Sequence, residues 1–254
     1  MKSVSIFNEK GGVGKSLHTM MFGSYLAYEC GAKVLVVDFE FPKSRIPGIR
    51  EEEILQLKDK DSALSRYFLE HGSPKNFYTV LAPLDNGFFE YNAENSAALI
   101  DNFRMVLRKD EFDYVIFDFP GLLAKNTPVY DFCSNGLIDL VAVPFDTEPM
   151  TRKSALLTCA FMKKFRTDVV AFWNNVTAAE LGMQGLFNVG NIIFDRYGIE
   201  VLEPKIRSFV KARRDSSQKL FVRSTVCWPE RYIEMACPSL KELYAELKRR
   251  LDEK

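Results

Sequence analysis

The chain has 254 residues with 34 basic and 34 acidic side chains, so its overall charge does not steer it toward nucleic acid. Hydrophobic residues make up 47% of it, enough for a large core, and we expect residues 1–254 to form one α/β domain. No apolar run approaches the roughly 20 residues of a membrane span, which argues against an integral membrane protein.

The first predicted strand, near 3–8, leads into a glycine-rich loop, and a helix is expected near 16–29. From Lys10 to Ser16 the loop reads Lys-Gly-Gly-Val-Gly-Lys-Ser. The ordinary phosphate-loop pattern would require glycine at position 9, but the chain has Glu9 there, followed by the additional lysine. This is a deviant Walker A loop, and its place between a strand and a helix makes phosphate binding credible.

The residue types of the loop explain its expected chemistry. Gly11, Gly12 and Gly14 lack a Cβ, so the backbone can curl and direct several N–H groups at a phosphate chain. We expect Lys15 to contact the β- and γ-phosphates and the Ser16 hydroxyl to bind Mg²⁺.

Carboxylates follow two further predicted strands. The apolar run 33–38 is typical of a buried parallel strand, and alternation places Asp38 and Glu40 on the same side. A second run ends at Asp118 in a Walker B pattern, and we expect the N–H of Gly121 to approach the γ-phosphate. Carboxylates at strand ends beside a phosphate loop suit Mg²⁺ binding and the orientation of a water molecule.

Strand-like and helix-like segments alternate along the chain, which predicts a mostly parallel twisted sheet with helices on both faces. Besides the strands near 34–38 and 113–118, strands are predicted near 78–82, 139–144 and 169–173, with one or two more between 200 and 226. Further helices are predicted near 50–70, 95–108, 151–165, 177–197 and 239–251.

The cysteines show no paired spacing of the C-x-x-C type. Since the chain enters a strand by residue 4, we expect no signal peptide, a cytoplasmic location and reduced thiols. The scattered positions also argue against an iron–sulfur carrier. The five cysteines are Cys30, Cys133, Cys159, Cys227 and Cys237.

These motifs resemble the ParA/MinD family of deviant Walker A ATPases, and the resemblance extends over most of the chain. The run 10–16 resembles the family's KGGxGK[ST] loop, 36–40 its second acidic motif, and 115–121 its switch II. The run 140–144 resembles the fifth core strand, and 169–174 resembles the strand whose terminal asparagine contacts adenine.

The resemblance implies a role for each motif. Lys10 would reach across a homodimer interface to the partner's nucleotide, as an arginine finger does, and ATP would hold two protomers together until hydrolysis. Asp38 and Asp118 would serve the metal with Ser16, and Glu40 would orient the attacking water. ATP would be bound by Glu9, Lys10, Gly11, Gly12, Val13, Gly14, Lys15, Ser16, Leu17, Gly121 and Asn174. Asn175 or a simple turn are alternatives at the adenine position.

Two departures from the family pattern concern hydrolysis. Glu40 stands where the family has aspartate, so its carboxylate reaches about one methylene further. The run 41–45 does not match the usual sequence after that motif. We therefore expect slow or altered hydrolysis that a partner protein stimulates, as in the family.

Basic residues are concentrated late in the chain. The stretch 204–223 holds seven lysines and arginines against one acid, Asp215, and can neutralise several phosphates. Lys163, Lys164 and Arg166 form a second basic run. No base-reading motif is present, so DNA binding would be independent of sequence, as in many ATP-bound members of the family. A solvated basic face is the alternative.

The last predicted helix carries an apolar stripe of Leu240, Leu243, Leu247 and Leu251. It resembles the membrane-targeting tail of the MinD branch only loosely, because acidic residues interrupt its polar face, so we expect it to dock on the protein's own core. His18 and His71 have no acid–base partner nearby in sequence and are expected to be structural.

Three functions are compatible with these motifs. The leading one is an ATP-driven dimeric switch that partitions DNA, triggered by a cargo-bound activator protein. The second is a MinD-like positioning ATPase acting on a membrane or a protein machine. The third is a biosynthetic P-loop ligase, against which Lys10 counts because such enzymes generally lack that lysine.

Overall fold

The computed structural model describes residues 1–39, 46, 77–81, 93–108, 111–125, 127–208 and 238–254. The described strands form one seven-stranded sheet with the order β3-β2-β4-β1-β5-β6-β7, and every pairing is parallel. The predicted parallel sheet is therefore confirmed. The strands are β1 Lys2–Ile6, β2 Val34–Asp38, β3 Phe77–Leu81, β4 Tyr114–Asp118, β5 Leu140–Phe145, β6 Asp168–Trp173 and β7 Glu200–Leu202.

The described helices lie between these strands in the chain, except for the last one, which follows β7. They are α1 Lys15–Ser24, which continues as a π-helical turn over Tyr25–Glu29, α2 Ala93–Arg108, α3 Pro128–Ser134, α4 Pro149–Met162, α5 Ala178–Leu181, α6 Gln184–Asp195 and α7 Pro238–Asp252. The predicted helix near 50–70 lies outside the described residues.

Two helical regions differ from the prediction. The helix predicted near 177–197 is two helices, because α5 ends at Leu181 and α6 begins after Met183, whose backbone is not helical. Helix α3 was not predicted, although Thr127 followed by Pro128 is a recognisable helix start. Seven residues are too few for a hydrophobic period to stand out, which explains the omission.

Strand β2 buries both of its faces, and its alternate residues enter two separate cores. Val34 and Val36 join the core formed with α1 and α7, whereas Leu35 and Val37 join the core formed with α3, α4 and α6. Helices therefore cover both faces of the sheet, as predicted. The edges of the sheet, where the strands end, are left to form a site.

Helix α7 docks on the protein itself. Its four leucines of the predicted apolar stripe are fully buried against the sheet and α1, which confirms the expected use of this stripe. No described helix combines the length and the apolar character needed to cross a membrane. Cys30, Cys133 and Cys159 are free thiols, and burial raises the pKa of Cys133 to about 12.

One glycine in this fold is required by packing. A Cβ on Gly190 of α6 would lie 2.4 Å from Cζ2 of Trp173. The indole cannot easily move, because Trp173 is fully buried, packs edge-on against Phe187 at 4.9 Å and donates a 2.9 Å hydrogen bond to Asn191. Close contact between α6 and β6 therefore depends on the absence of a side chain at Gly190.

We predict that Gly190→Ala lowers the free energy of unfolding by about 2 to 3 kcal/mol, because the extra methyl overpacks the core. Gly185→Ala on the same helix is the control, since a Cβ there meets nothing within 4 Å. It should stabilise the fold by about 0.5 kcal/mol through its helix propensity. Denaturant unfolding followed by tryptophan fluorescence measures both, and equal effects of the two substitutions would contradict the packing argument.

Candidate functional site

The predicted site residues gather at the carboxyl edge of the sheet. Strand β1 pairs with β4 on one side and β5 on the other, and the loop after β1 leads directly into α1. In open parallel sheets, ligands bind outside the carboxyl ends of the strands where the chain order reverses. The fold therefore places the glycine-rich loop where such sheets hold their ligands.

The loop has the curled backbone that its glycines predict. Gly12 and Gly14 have φ values of 78° and 93°, a region that side-chain-bearing residues rarely adopt. The N–H of His18 donates to the carbonyl of Gly14 at 2.9 Å, which closes the first turn of α1. The amino end of α1, with its positive dipole and free N–H groups, thus faces the loop interior.

Asn8 anchors the start of the loop, and the sequence analysis did not single it out. It is fully buried, and its Nδ2 donates to the carbonyl of Pro144 in β5 at 2.8 Å. Its Oδ1 accepts from the N–H of Lys10 at 3.0 Å and from the hydroxyl of Ser154 in α4 at 2.8 Å. A polar residue at the end of an apolar strand was the available signal.

Lys15 and Gly121 come together across the site. The Lys15 side chain is buried, and its Nζ lies 3.2 Å from the point that a Cβ on Gly121 would occupy. The same point lies 2.6 Å from the carbonyl oxygen of Glu9. The backbone of the segment after β4 therefore passes directly over the loop lysine, which only glycine permits at this position.

Two buried carboxylates lie side by side at the ends of β2 and β4. Asp38 and Asp118 are register partners, and each is only 1% exposed. Thr19, one turn beyond Ser16 on α1, donates to Oδ1 of Asp118 at 3.5 Å, a long hydrogen bond. Two adjacent carboxylates suit a Mg²⁺ ion, so the residues present fit this metal. Thr19 is a contact that the sequence analysis missed.

Asn174 contacts the loop rather than solvent. It is buried at the end of β6, and its Nδ2 donates to the carbonyl of Val13 at 2.8 Å. The same nitrogen lies 2.9 Å from the position of a Cβ on Gly14. Asn175 is half-buried with a positive φ of 58°, so it forms the turn after the strand. Of the two asparagines, Asn174 is the one that the fold brings to the loop.

His18 is buried behind the loop, as the structural assignment predicted. Burial lowers the pKa of His18 to about 4, and the nearby Asn174 side chain offsets part of this effect. Among the described residues, none forms a hydrogen bond of standard geometry with Nε2 of His18. The Asn174 side chain therefore lies near this nitrogen without such a bond. The ring is therefore neutral near pH 7.

The remaining predicted residues differ in how they are placed. Lys10 is exposed at the outer end of the loop, unlike the buried Lys15. Leu17 is half-buried and packs on the core. Glu40 lies outside the described residues, as do His71 and most of the basic stretch 204–223.

Comparison with known proteins decides the family. A family model described as an AAA domain matches residues 1–168. The fold is similar to that of the MinD cell division protein of Aquifex aeolicus, with a TM-score of 0.65 and 16% identity over 98% of this chain and 97% of that one. It is equally similar to pNOB8 ParA, with a TM-score of 0.65 and 14% identity over 99% of both chains.

The chain belongs to the ParA/MinD family of P-loop ATPases.

This ParA/MinD protein also has a relative in Borreliella burgdorferi, an uncharacterized protein named BBD21. The two are 32% identical over 126 residues, which is 46% of this chain and half of the relative's length. The structural similarities lie below 25% identity and show the fold alone. Family membership assigns the chain to the ParA/MinD-type ATPases, and its ligands, activity and partners follow as proposals.

Proposed function

We propose that this chain is an ATP-dependent dimerising switch that partitions DNA in the cytoplasm, with residues 1–254 acting as one domain. In its ATP state it forms a homodimer and binds DNA without sequence preference. A cargo-bound activator protein stimulates slow hydrolysis, which releases the dimer from a plasmid, chromosome or mobile element. The observation that carries this proposal is the contrast between the two loop lysines.

Lys15 and Lys10 are placed for different tasks. The buried Lys15 lies against Gly121 inside its own protomer, where it can only serve that protomer's phosphates. Lys10 is exposed, while its backbone N–H is held by Asn8 at 3.0 Å. A lysine with a fixed backbone and an exposed side chain is well placed to reach the nucleotide of a second protomer.

The other predicted residues take complementary roles in this proposal. Backbone N–H groups of the loop bind the phosphates, and Gly121 approaches the γ-phosphate. Ser16, Asp38 and Asp118 hold Mg²⁺, which when bound neutralises charge on the phosphates. Glu40 orients the attacking water, and Asn174 contacts the adenine.

The basic stretch 204–223 supports DNA as a binding partner. Of its described members, Arg207 is exposed, whereas the ammonium of Lys205 packs 5.0 Å from the ring centre of Phe187. Five further basic residues, from Lys211 to Arg223, follow in sequence. Such a density of positive charge neutralises several phosphates and makes binding sensitive to salt.

We predict that a random-sequence DNA duplex binds only with ATP and Mg²⁺, not with ADP. Between about 50 and about 200 mM salt the affinity should fall by at least roughly tenfold, because counterions are released on binding. Fluorescence anisotropy of a labelled duplex measures this. Equal binding with ADP would contradict the nucleotide gate, and no binding in either state would exclude the DNA part of the proposal.

A pair of charge-matched variants locates the contact. Lys211→Glu/Arg213→Glu should abolish ATP-dependent DNA binding. Lys164→Glu/Arg166→Glu reverses two exposed charges outside the stretch and should largely retain it. If only the second variant loses binding, residues 163–166 are the DNA contact and the assignment to 204–223 is wrong.

The second candidate, a MinD-like positioning ATPase, remains the alternative because MinD has the same fold. A membrane-binding α7 is not favoured as its mechanism, since the apolar stripe of this helix is already buried. The third candidate, a P-loop ligase, gives no role to the exposed Lys10.

A further inference from the structure

Besides its buried leucines, the last helix, α7, contacts the rest of the protein through two tyrosine hydroxyls at different levels of the sheet. Tyr244 on α7 shares a 2.9 Å hydrogen bond with Nδ1 of His18 in α1. Tyr114, the first residue of β4, donates a 2.5 Å hydrogen bond to Asp252 near the end of α7. Asp252 follows Tyr244 by eight positions, about 12 Å along the helix axis. One contact thus lies near the glycine-rich loop and the other at the opposite edge of the sheet.

His18 fills the space between α7 and the loop. Its Cδ2 lies 3.4 Å from the position of a Cβ on Gly14, and its backbone N–H bonds the carbonyl of the same glycine. The Nδ2 of Asn174 lies 2.9 Å from the same point while it donates to the carbonyl of Val13. The ring also packs edge-on against Phe172 with 5.1 Å between ring centres. The His18 ring and the Asn174 amide therefore both contact the turn at Gly14.

The hydrogen bond between His18 and Tyr244 lies entirely in the interior. His18 is 2% exposed and Tyr244 is fully buried, so no solvent replaces either partner if the other is removed. A displaced His18 ring would press on Gly14 or Asn174, because close-packed interiors leave little room for local movement.

We propose that His18 and Tyr244 are positioning residues for the nucleotide loop, so that docked α7 holds Val13 to Lys15 in the conformation that binds ATP. The inference rests on the proposed function only in that this loop binds ATP. It assigns to the C-terminal helix a part in nucleotide binding although α7 contributes no residue to the site itself.

Tyr244→Phe and Tyr114→Phe form a matched pair, since each removes one phenolic hydroxyl that attaches α7. We expect Tyr244→Phe to raise the Kd for ATP–Mg²⁺ roughly threefold to tenfold, a range typical of indirect coupling. Tyr114→Phe should leave the Kd within about twofold, because the hydroxyl that it removes lies at the edge of the sheet opposite to the loop. A fluorescent ATP analogue is titrated at a temperature at which circular dichroism shows both variants to be folded.

A double variant separates positioning from stability. His18→Phe/Tyr244→Phe replaces both partners by apolar rings, so no buried polar atom remains unpaired and the Tm should recover relative to Tyr244→Phe. The Kd should stay raised, because the bond that orients the His18 ring is still absent. Recovery of the Kd together with the Tm would overturn the inference.

Failure of this inference and failure of the proposed function give different results. If the unmodified protein binds ATP and Tyr244→Phe binds it as tightly as Tyr114→Phe does, the inference is overturned and the proposed function stands. If the unmodified protein does not bind ATP, both are overturned together.

Discussion

Gly121→Ala should lower kcat/KM for ATP hydrolysis by roughly 100-fold or more, because displacement of a catalytic group by about 1 Å has effects of this size. The added Cβ would lie 2.6 Å from the carbonyl oxygen of Glu9 and 3.2 Å from Nζ of Lys15. The first neighbour is backbone of the glycine-rich loop and cannot rotate away. Either the loop or the segment after β4 must move, and the lysine moves with it.

Gly182→Ala is the matched control for this substitution. A Cβ on Gly182 would meet its nearest neighbour, the carbonyl of Ala179, at an ordinary 3.6 Å, and its φ of −73° suits alanine. Turnover should stay within about twofold of the unmodified protein. Phosphate release measures both variants, with circular dichroism as the test of folding. A Gly121→Ala protein with unchanged turnover would contradict the close approach of this backbone to the loop.

Lys10→Ala should reduce ATP turnover by at least about 100-fold, the effect of removing one preorganised group that stabilises transition-state charge. ATP binding by the monomer should change little, because the loop backbone and Lys15 remain. The expected loss is therefore in ATP-dependent dimerisation and hydrolysis. Sedimentation with and without ATP, titration of a fluorescent ATP analogue and phosphate release separate these three quantities.

Lys15→Ala is the control within the same loop. It removes the buried lysine, so binding of ATP itself should be lost together with turnover. If Lys10→Ala retained full turnover, the assignment of this lysine to the partner's nucleotide would be wrong. If it lost monomeric binding as Lys15→Ala does, the two lysines would act in one protomer.

The loop and its setting could be predicted because their signal is local. The glycines, Lys15 and Ser16 are contiguous, and the apolar runs that end at Asp38 and Asp118 are typical of buried parallel strands. Strand alternation needs only neighbouring residues, and the structure confirms that both faces of these strands are buried. Fold class and family therefore followed from short stretches of sequence.

The contacts that shape the site could not be predicted in this way. Asn8 joins residues of β5 and α4 that lie more than 130 positions later, and His18 meets Tyr244 at a separation of 226 residues. No periodicity relates such positions, because their proximity arises from the crossing of separate elements. His18 was correctly expected to be structural, but its position between α7 and Gly14 depends on packing.

By itself the sequence determined the parallel α/β fold, the ATPase family and the identity of the loop residues, because each depends on local patterns of glycine, charge and hydrophobicity. Only the tertiary structure decided that Lys15 is buried against Gly121 while Lys10 is exposed, and that Asn174 binds the carbonyl of Val13. These relations depend on where strands end and how closely backbones approach, which are properties of the packed chain rather than of any one segment.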